Sequence, residues 1–297
     1  MRTLVVGAGA TGGYFGGRLL EANRDVTFFV RPRRAEELAR SGLVIRSRSG
    51  DVTLRNPPTI QTETIAAPFD LVLLSCKAYD LEAAMTSLAP AVGPGTAILP
   101  VLNGMRHLDL LDARFGRERV LGGQCLIAAS LNAEREIVHL NDTHELSFGE
   151  RDGTLSERVQ EIAKWMEPAR FGVRASREIV ADMWAKWVFL ASLAGGTCLL
   201  RAAIGDIVAV AGGADFMLGL VEECRGIAAA QGYAVAEASL KRTRDMLTAA
   251  GSTFTSSMLR DMERHSAIEA DHIIGDLLRR GTTSPGCSRS KTRTRNG

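Results

Sequence analysis

Residues 4 to 20 read LVVGAGATGGYFGGRLL, a glycine-rich run between an apolar triplet and a Leu-Leu pair. Gly7, Gly9 and Gly12 form G-x-G-x-x-G directly after an expected strand (3–7) and at the mouth of an expected helix (10–22). In that context the first glycine permits a tight turn, and the second lets the main chain approach a pyrophosphate. The third lets the helix pack on the strand. The pyrophosphate then rests on exposed N–H groups at the positive end of the helix. Gly7, Ala8, Gly9, Ala10, Thr11 and Gly12 are therefore the candidate dinucleotide-binding residues, with a purely structural turn as the alternative.

The second expected strand, DVTFFV (25–30), indicates which dinucleotide. An NAD site usually carries Asp or Glu at its end, to take the ribose 2′-hydroxyl. This strand ends in Arg31, with Arg33 and Arg34 close behind. A guanidinium there suits a 2′-phosphate, to which it offers paired donors. Lys77, beyond strand 70–75, lies on the same carboxyl edge and adds a second charge. NADPH is the expected cofactor; a solvated basic loop is the bland alternative.

Five continuous apolar runs alternate with helical patterns to position these residues. TLVVG (3–7), DVTFFV (25–30), DLVLLS (70–75), TAILPV (96–101) and VLGGQCLIA (120–128) predict strands buried on both faces. Helices are expected at 10–22, 33–41, 80–90 and 105–114, with Pro32 at a tolerated first-turn position. Such alternation predicts a Rossmann-type, doubly wound parallel sheet in an α/β protein. LVIRS and DVTLRN predict an inserted hairpin; EIVHL and HELSFGE predict a second, closing one. From about residue 175 the strand signals stop, and helices are expected at 176–194, 205–231, 235–250, 254–263 and 267–280. The expected organisation is a dinucleotide-binding domain at 1–174, an all-helical domain at 175–281 and a disordered basic tail at 282–297.

Composition narrows the function. The 297 residues suffice for two domains, and 45% hydrophobic with 24% charged residues is ordinary for a globular protein. A net charge of +2 gives no electrostatic reason to expect nucleic acid or a membrane surface. The five cysteines are scattered without a C-x-x-C pair and the five histidines without H-x-x-x-H, which points away from a metal site and toward reduced thiols in the cytosol. The N-terminal apolar run is too short for a signal peptide. The longest apolar stretch, 187–200, falls short of a membrane span. Asn141-Asp142-Thr143 is a glycosylation sequon by letter only.

With GAGATG (7–12), Arg31, SCKAYD around Lys77, LNGM (102–105), the helix around Lys186 and SSMLRDM…IEAD (256–271), the chain resembles the ketopantoate reductase (2-dehydropantoate 2-reductase) family from residue 1 to about 280. The resemblance implies a Rossmann domain followed by a helical domain, with the site in the cleft between them. It also implies reduction of a 2-oxo acid by NADPH to give (R)-pantoate for pantothenate and coenzyme A synthesis. Asn103 is then a contact to cofactor and substrate, and Ala129 touches the nicotinamide half through its backbone. Lys186 is the catalytic acid, Ser257 a substrate-carboxylate ligand and Glu269 a partner of the substrate hydroxyl or the lysine. Hydride delivered to a ketone carbon leaves charge on oxygen, so a cation or proton donor must wait there.

Lys186, Asn103 and Glu269 also have structural readings. Lys186 can pair with Asp182 one turn away, and Asn103 can serve an Asn-Gly turn. Ser266-Ala267-Ile268-Glu269 reads as a capping box. That box breaks the helix between Ser257 and Glu269, which about 18 Å of continuous helix would otherwise hold apart. Leu190, Ala194 and Ile204 stand where the family usually places asparagines, which predicts a more apolar substrate. The final helix, expected to end at Gly281, is shorter than in the family. Three functions stay open: reduction of 2-dehydropantoate, reduction of another 2-oxo acid, and non-catalytic NADP(H) sensing. The Gly- and Ala-rich helices suit packing within one chain or across a homodimer.

Overall fold

In the computed structural model, which describes residues 1–283, the glycine turn leaves the carboxyl end of the first strand of a parallel sheet. Strand β1 (Thr3–Val6) leads to helix α1 (Ala10–Glu21), and β2 (Val26–Phe29) leads to α2 (Pro32–Ser41). The strands β3 (Leu43–Arg46) and β4 (Val52–Leu54) form an antiparallel hairpin, followed by the two-residue β5 (Thr59–Ile60). Next come β6 (Leu71–Leu74), α3 (Leu81–Leu88), β7 (Ala97–Pro100) and α4 (Arg106–Phe115). The sheet order is β5-β2-β1-β6-β7, every pair parallel. All residues of β1, β6 and β7 are buried, as their unbroken apolar runs require. Strand order reverses at β1, with β2 on one side and β6 on the other. That switch point is where open α/β sheets bind ligands.

A second five-stranded sheet contains the β3–β4 hairpin, so the hairpin is not an insertion into the parallel sheet. Its long strands are β8 (Gly122–Leu131) and β9 (Ile137–Gly149), paired antiparallel. The expected fifth parallel strand, 120–128, is corrected here. Only Val120 bridges β7, opposite Ile98, before the chain crosses into the second sheet as β8. The expected second hairpin is also corrected, because β9 runs unbroken through Asn141, Asp142 and Thr143, which separate its two expected strands. The register shifts between Ile127 and Ala129, and Asn141 Oδ1 accepts the Ala128 amide at 3.0 Å inside that bulge. The sheet is completed after α5 (Glu157–Met166) by β10 (Gly172–Ala175). Neither α5, β5 nor β10 was anticipated.

Helix α1 is pressed between the two sheets, which explains its other glycines. A β-carbon at Gly16 would come within 2.7 Å of Phe28 in β2. At Gly17 it would meet Leu43 at 2.7 Å, and at Gly13 it would meet Ile137 at 2.5 Å. Glycine costs about 1 kcal/mol relative to alanine within a helix. Here it permits the contacts of Tyr14, Phe15 and Leu19 with Val5, Phe28, Ile45 and Phe148 in one buried core.

The chain divides into two compact units, Met1–Met183 and Trp184–Gly297, with the division inside α6 (Ile179–Leu200). At 22 residues, with a mean hydropathy of 1.3 over its most apolar window, α6 exceeds the 187–200 stretch and is long and apolar enough to cross a membrane. More than half of that window (56%) is buried inside the protein, as in a core helix. The expected helix 205–231 is two, α7 (Ile204–Ala209) and α8 (Gly213–Ala230), broken where Gly212 takes a positive φ of 80°. Then follow α9 (Glu237–Leu247), α10 (Ser257–Glu263), a π-helical turn (Asp271–Gly275) and α11 (Asp276–Thr283). Leu193, Ile204, Ile207, Met217, Val221, Leu240 and Leu247 form the core of this second unit. Helix α11 continues through Gly281 to Thr283, two residues beyond its expected end. Of the expected tail, residues 284–297 lie outside the described residues.

Candidate functional site

The carboxyl edge of the parallel sheet is set by its register: Val6 lies opposite Phe29 and Leu74, and Leu74 opposite Pro100. Gly7 follows with φ of 96°, a left-handed conformation that favours glycine, and its amide donates to the Phe29 carbonyl at 3.0 Å. Gly9 is the N-cap of α1. A β-carbon at Gly9 would meet nothing within 4 Å, whereas one at Gly12 would overlap Ser75 Oγ and the Gly7 carbonyl oxygen. Ser75 itself donates to the Val6 carbonyl at 2.8 Å. Gly12 is thus required for packing, while the space beside Gly9 is open to a ligand. The first four N–H groups of a helix lack intrahelical partners. Around Ala10, Thr11 and Gly12 they give α1 the capacity to hold an anion.

The candidate cations stand on either side of this turn, because β2 and β6 flank β1. Arg31 is the N-cap of α2; its side chain is 75% exposed and pairs with Asp80 at 2.6 Å. Lys77 caps the short 3₁₀ turn Ala78–Asp80, so the ion pair joins the two rims. Of the two arginines grouped with Arg31, Arg33 is exposed and pairs with Glu37 at 3.4 Å. Arg34 is turned inward, its Nε donating to the Ala8 carbonyl at 3.2 Å and its Nη1 to Glu37 at 3.0 Å. Burial lowers the Arg34 guanidinium from its ordinary pKa, opposed by the bond to Glu37. The Glu37 carboxyl is lowered chiefly by its bond from Arg34. Asn103 follows β7 at the same edge, beside Gly104 with φ of 78°, so an Asn-Gly turn is present there. Ala129 lies in β8 just past the register shift with β9, opposite His139.

The second unit carries the remaining candidates. Lys186 lies half-buried on α6, one turn after Asp182. Asp182 accepts Ser176 Oγ at 2.6 Å and pairs with Arg174 at 3.0 Å. Leu190 and Ala194 follow Lys186 by one and two turns, the first half-buried and the second buried. Ile204 is fully buried in the helical core, so its side chain packs. Ser257 is exposed at the first position of α10, and the cap is its neighbour Ser256, whose Oγ accepts the Leu259 amide at 3.0 Å. The helix does break between Ser257 and Glu269: α10 ends at Glu263, and His265 takes a positive φ of 54°. It restarts later than the capping-box reading placed it. His272 and Ile273 amides donate to the Glu269 carbonyl at 3.1 and 2.9 Å, so Glu269, not Ser266, opens the new helical segment. Glu269 is buried, at 8% exposure. The π-helical turn that follows directs the Ile273 carbonyl to Trp187 Nε1 at 2.9 Å, tying this segment to α6 beside Lys186.

Sequence reasoning gave no role to Ser75, which occupies the space Gly12 leaves, or to Asp80, the partner of Arg31. Both stand in the SCKAYD segment, but their roles arise from pairings between segments far apart in the chain.

Strand order, a glycine turn at the switch point and a helical second unit define a dinucleotide-binding oxidoreductase architecture. The chain belongs to the ketopantoate reductase family: the model "Ketopantoate reductase PanE/ApbA" matches residues 3–153 and its C-terminal companion matches residues 178–284. A relative from Bacillus subtilis (strain 168), the uncharacterized oxidoreductase YkpB, is 37% identical over 278 residues, covering 94% of this chain and 91% of its own length. The crystal structure of a 2-dehydropantoate 2-reductase from Geobacter metallireducens GS-15 matches with a TM-score of 0.87 at 28% identity, over 96% of this chain and 94% of that one. D-mandelate dehydrogenase, solved with NADH and anilino(oxo)acetate, shares the fold (TM-score 0.84) at 18% identity, over 95% and 92% of the two chains.

Proposed function

We propose that the protein reduces a 2-oxo acid with NADPH, with 2-dehydropantoate, giving (R)-pantoate, as the leading substrate. The setting is pantothenate and coenzyme A biosynthesis in the cytosol. Residues 1–174 bind the dinucleotide, and residues 175–281 provide the substrate and proton-transfer groups. The observation that carries the reading is the contrast between Gly12, whose missing side chain is replaced by Ser75, and Gly9, whose missing side chain leaves open space. The residues present fit a dinucleotide: main-chain amides for the diphosphate, and Arg31 and Lys77 for a 2′-phosphate. Arg31 would exchange Asp80 for the phosphate. When bound, the nicotinamide supplies a hydride.

The chain's own residues do the rest. Asn103 and the Ala129 main chain orient cofactor and substrate, and the Ser257 hydroxyl binds the substrate carboxylate. Lys186 delivers a proton to the oxygen on which charge develops. Glu269, buried where its helix begins, bonds the substrate hydroxyl or orients the lysine.

Leu190 and Ala194 favour a second reading, a more apolar 2-oxo acid, because neither side chain can bond a substrate hydroxyl. NADPH oxidation measured with 2-dehydropantoate and with a panel of branched 2-oxo acids separates the readings. Rates with 2-dehydropantoate support the first, and rates only on the panel support the second. Tight NADPH binding without oxidation of any substrate overturns both in favour of a sensor.

A further inference from the structure

Three arginines follow β2, and the structure gives them different work. Arg31 and Arg33 are 75% and 91% exposed, whereas the Arg34 side chain is only 12% exposed. Arg34 does not point out toward solvent as a phosphate ligand would. Its Nε donates to the Ala8 carbonyl, inside the glycine turn. Its other arm is fixed by Glu37, and Glu37 also accepts Arg135 Nε at 3.2 Å from the turn between β8 and β9. A chain of bonds therefore runs from the second sheet through Arg135, Glu37 and Arg34 to one peptide group of the candidate dinucleotide loop.

That peptide is Ala8–Gly9. A trans peptide is planar, with its C=O and N–H pointing in opposite directions. Fixing the Ala8 carbonyl toward Arg34 fixes the Gly9 N–H away from it, and Gly9 is the residue whose side-chain position is open. The geometry points to Arg34 as a positioning residue for cofactor binding: it orients the Ala8–Gly9 peptide so that the Gly9 amide faces the diphosphate, without itself touching the nucleotide. This inference rests on the dinucleotide reading above. The diphosphate is common to both nicotinamide cofactors, so Arg34 supports NADPH and NADH equally. Arg31, as a ligand of the 2′-phosphate, supports only NADPH.

The test titrates Arg34→Ala, Arg34→Lys and Glu37→Gln with NADPH and NADH by cofactor fluorescence. Each variant is also melted without nucleotide, and Arg31→Ala serves as the reference. Arg34→Ala is expected to raise both dissociation constants by a similar factor of about ten, the scale of one hydrogen bond to a charged group. Arg34→Lys restores part of the loss, since an ammonium lacks the fork that holds Glu37 and the carbonyl together. Glu37→Gln, which keeps the shape of the network, shows a smaller loss of the same equal kind. It also keeps the test open should Arg34→Ala fail to fold. A loss confined to NADPH makes Arg34 a phosphate ligand and overturns the inference. A lowered melting temperature with both affinities unchanged leaves only a structural role, and also overturns it. Failure of the unaltered protein to bind either cofactor is a different result and removes the dinucleotide reading itself.

Discussion

The two units prepare their chemistry by different means. In the first, the candidate site is main chain: a left-handed Gly7, an open Gly9, and Gly12 packed on Ser75. In the second it is side chains, Lys186 on α6, Ser257 opening α10 and Glu269 opening the last helical segment. A main-chain site is defined by where side chains cannot be, so one added carbon tests it. A side-chain site is defined by which functional groups are offered, so on the proposed reading substrate preference can change at Leu190 or Ala194 while the helix stays intact.

The sharpest way to break this contrast lies within the glycine turn. Gly12→Ala forces a carbon onto Ser75 and the Gly7 carbonyl, and is expected to cost the first unit about 3 kcal/mol or more and abolish NADPH binding. Gly9→Ala enters open space, so the melting temperature should stay at the wild-type value while NADPH affinity falls. Calorimetric melting with fluorescence titration checks both; equal destabilisation by the two variants would show that Gly9 is also a packing glycine. Next in size is Lys186→Ala, expected to lower turnover by about 10²–10⁴-fold with NADPH affinity unchanged. Steady-state rates unaltered by that substitution would remove the lysine from the chemistry.

Arg31→Ala should weaken NADPH binding by roughly one to two orders of magnitude and leave NADH little affected, the scale of losing charge-assisted bonds to phosphate. Equal losses for the two cofactors would contradict a 2′-phosphate role. The smallest effect is on pH dependence, and the first unit should show it. His144, whose Nδ1 lies 2.6 Å from the Tyr14 hydroxyl, is held below the ordinary histidine pKa by burial first, then by His139 and Arg18. Above about pH 6.5 the imidazole is neutral in both folded and unfolded chains. Below that, the unfolded chain takes up a proton that the folded one resists, so stability falls as pH drops toward the folded pKa. His144→Asn should flatten melting curves between about pH 7 and 5, and an unchanged slope would exclude His144 as the source.

The parallel sheet was legible because strands covered on both faces write themselves as unbroken apolar runs, and the glycine turn because its geometry admits few residues. The second sheet was not. Asn141, Asp142 and Thr143 carry turn letters, yet they lie in the bulged part of β9, where Asn141 accepts the Ala128 amide, and the strand continues. The break before α8 falls at exposed Val210, Ala211 and Gly212, where the Gly212-Gly213 pair is a turn signal that a single helix over 205–231 passes over. Its cause is the positive φ at Gly212. In the second unit, the need for a helix break between Ser257 and Glu269 followed from helix rise once the resemblance set both on one substrate. Its position did not, because Glu269 rather than Ser266 receives the first helical amides. The inward turn of Arg34 depends on Glu37 and on Arg135, about a hundred residues away in sequence, and no local pattern carries that.

Crystals of the protein grown with NADP⁺ test the central claim most directly. The account predicts diphosphate oxygens within hydrogen-bonding distance of the main-chain amides at the start of α1, beside Gly9, with Arg31 released from Asp80 onto the 2′-phosphate. Nucleotide bound elsewhere, or a side chain filling the space beside Gly9, would contradict it.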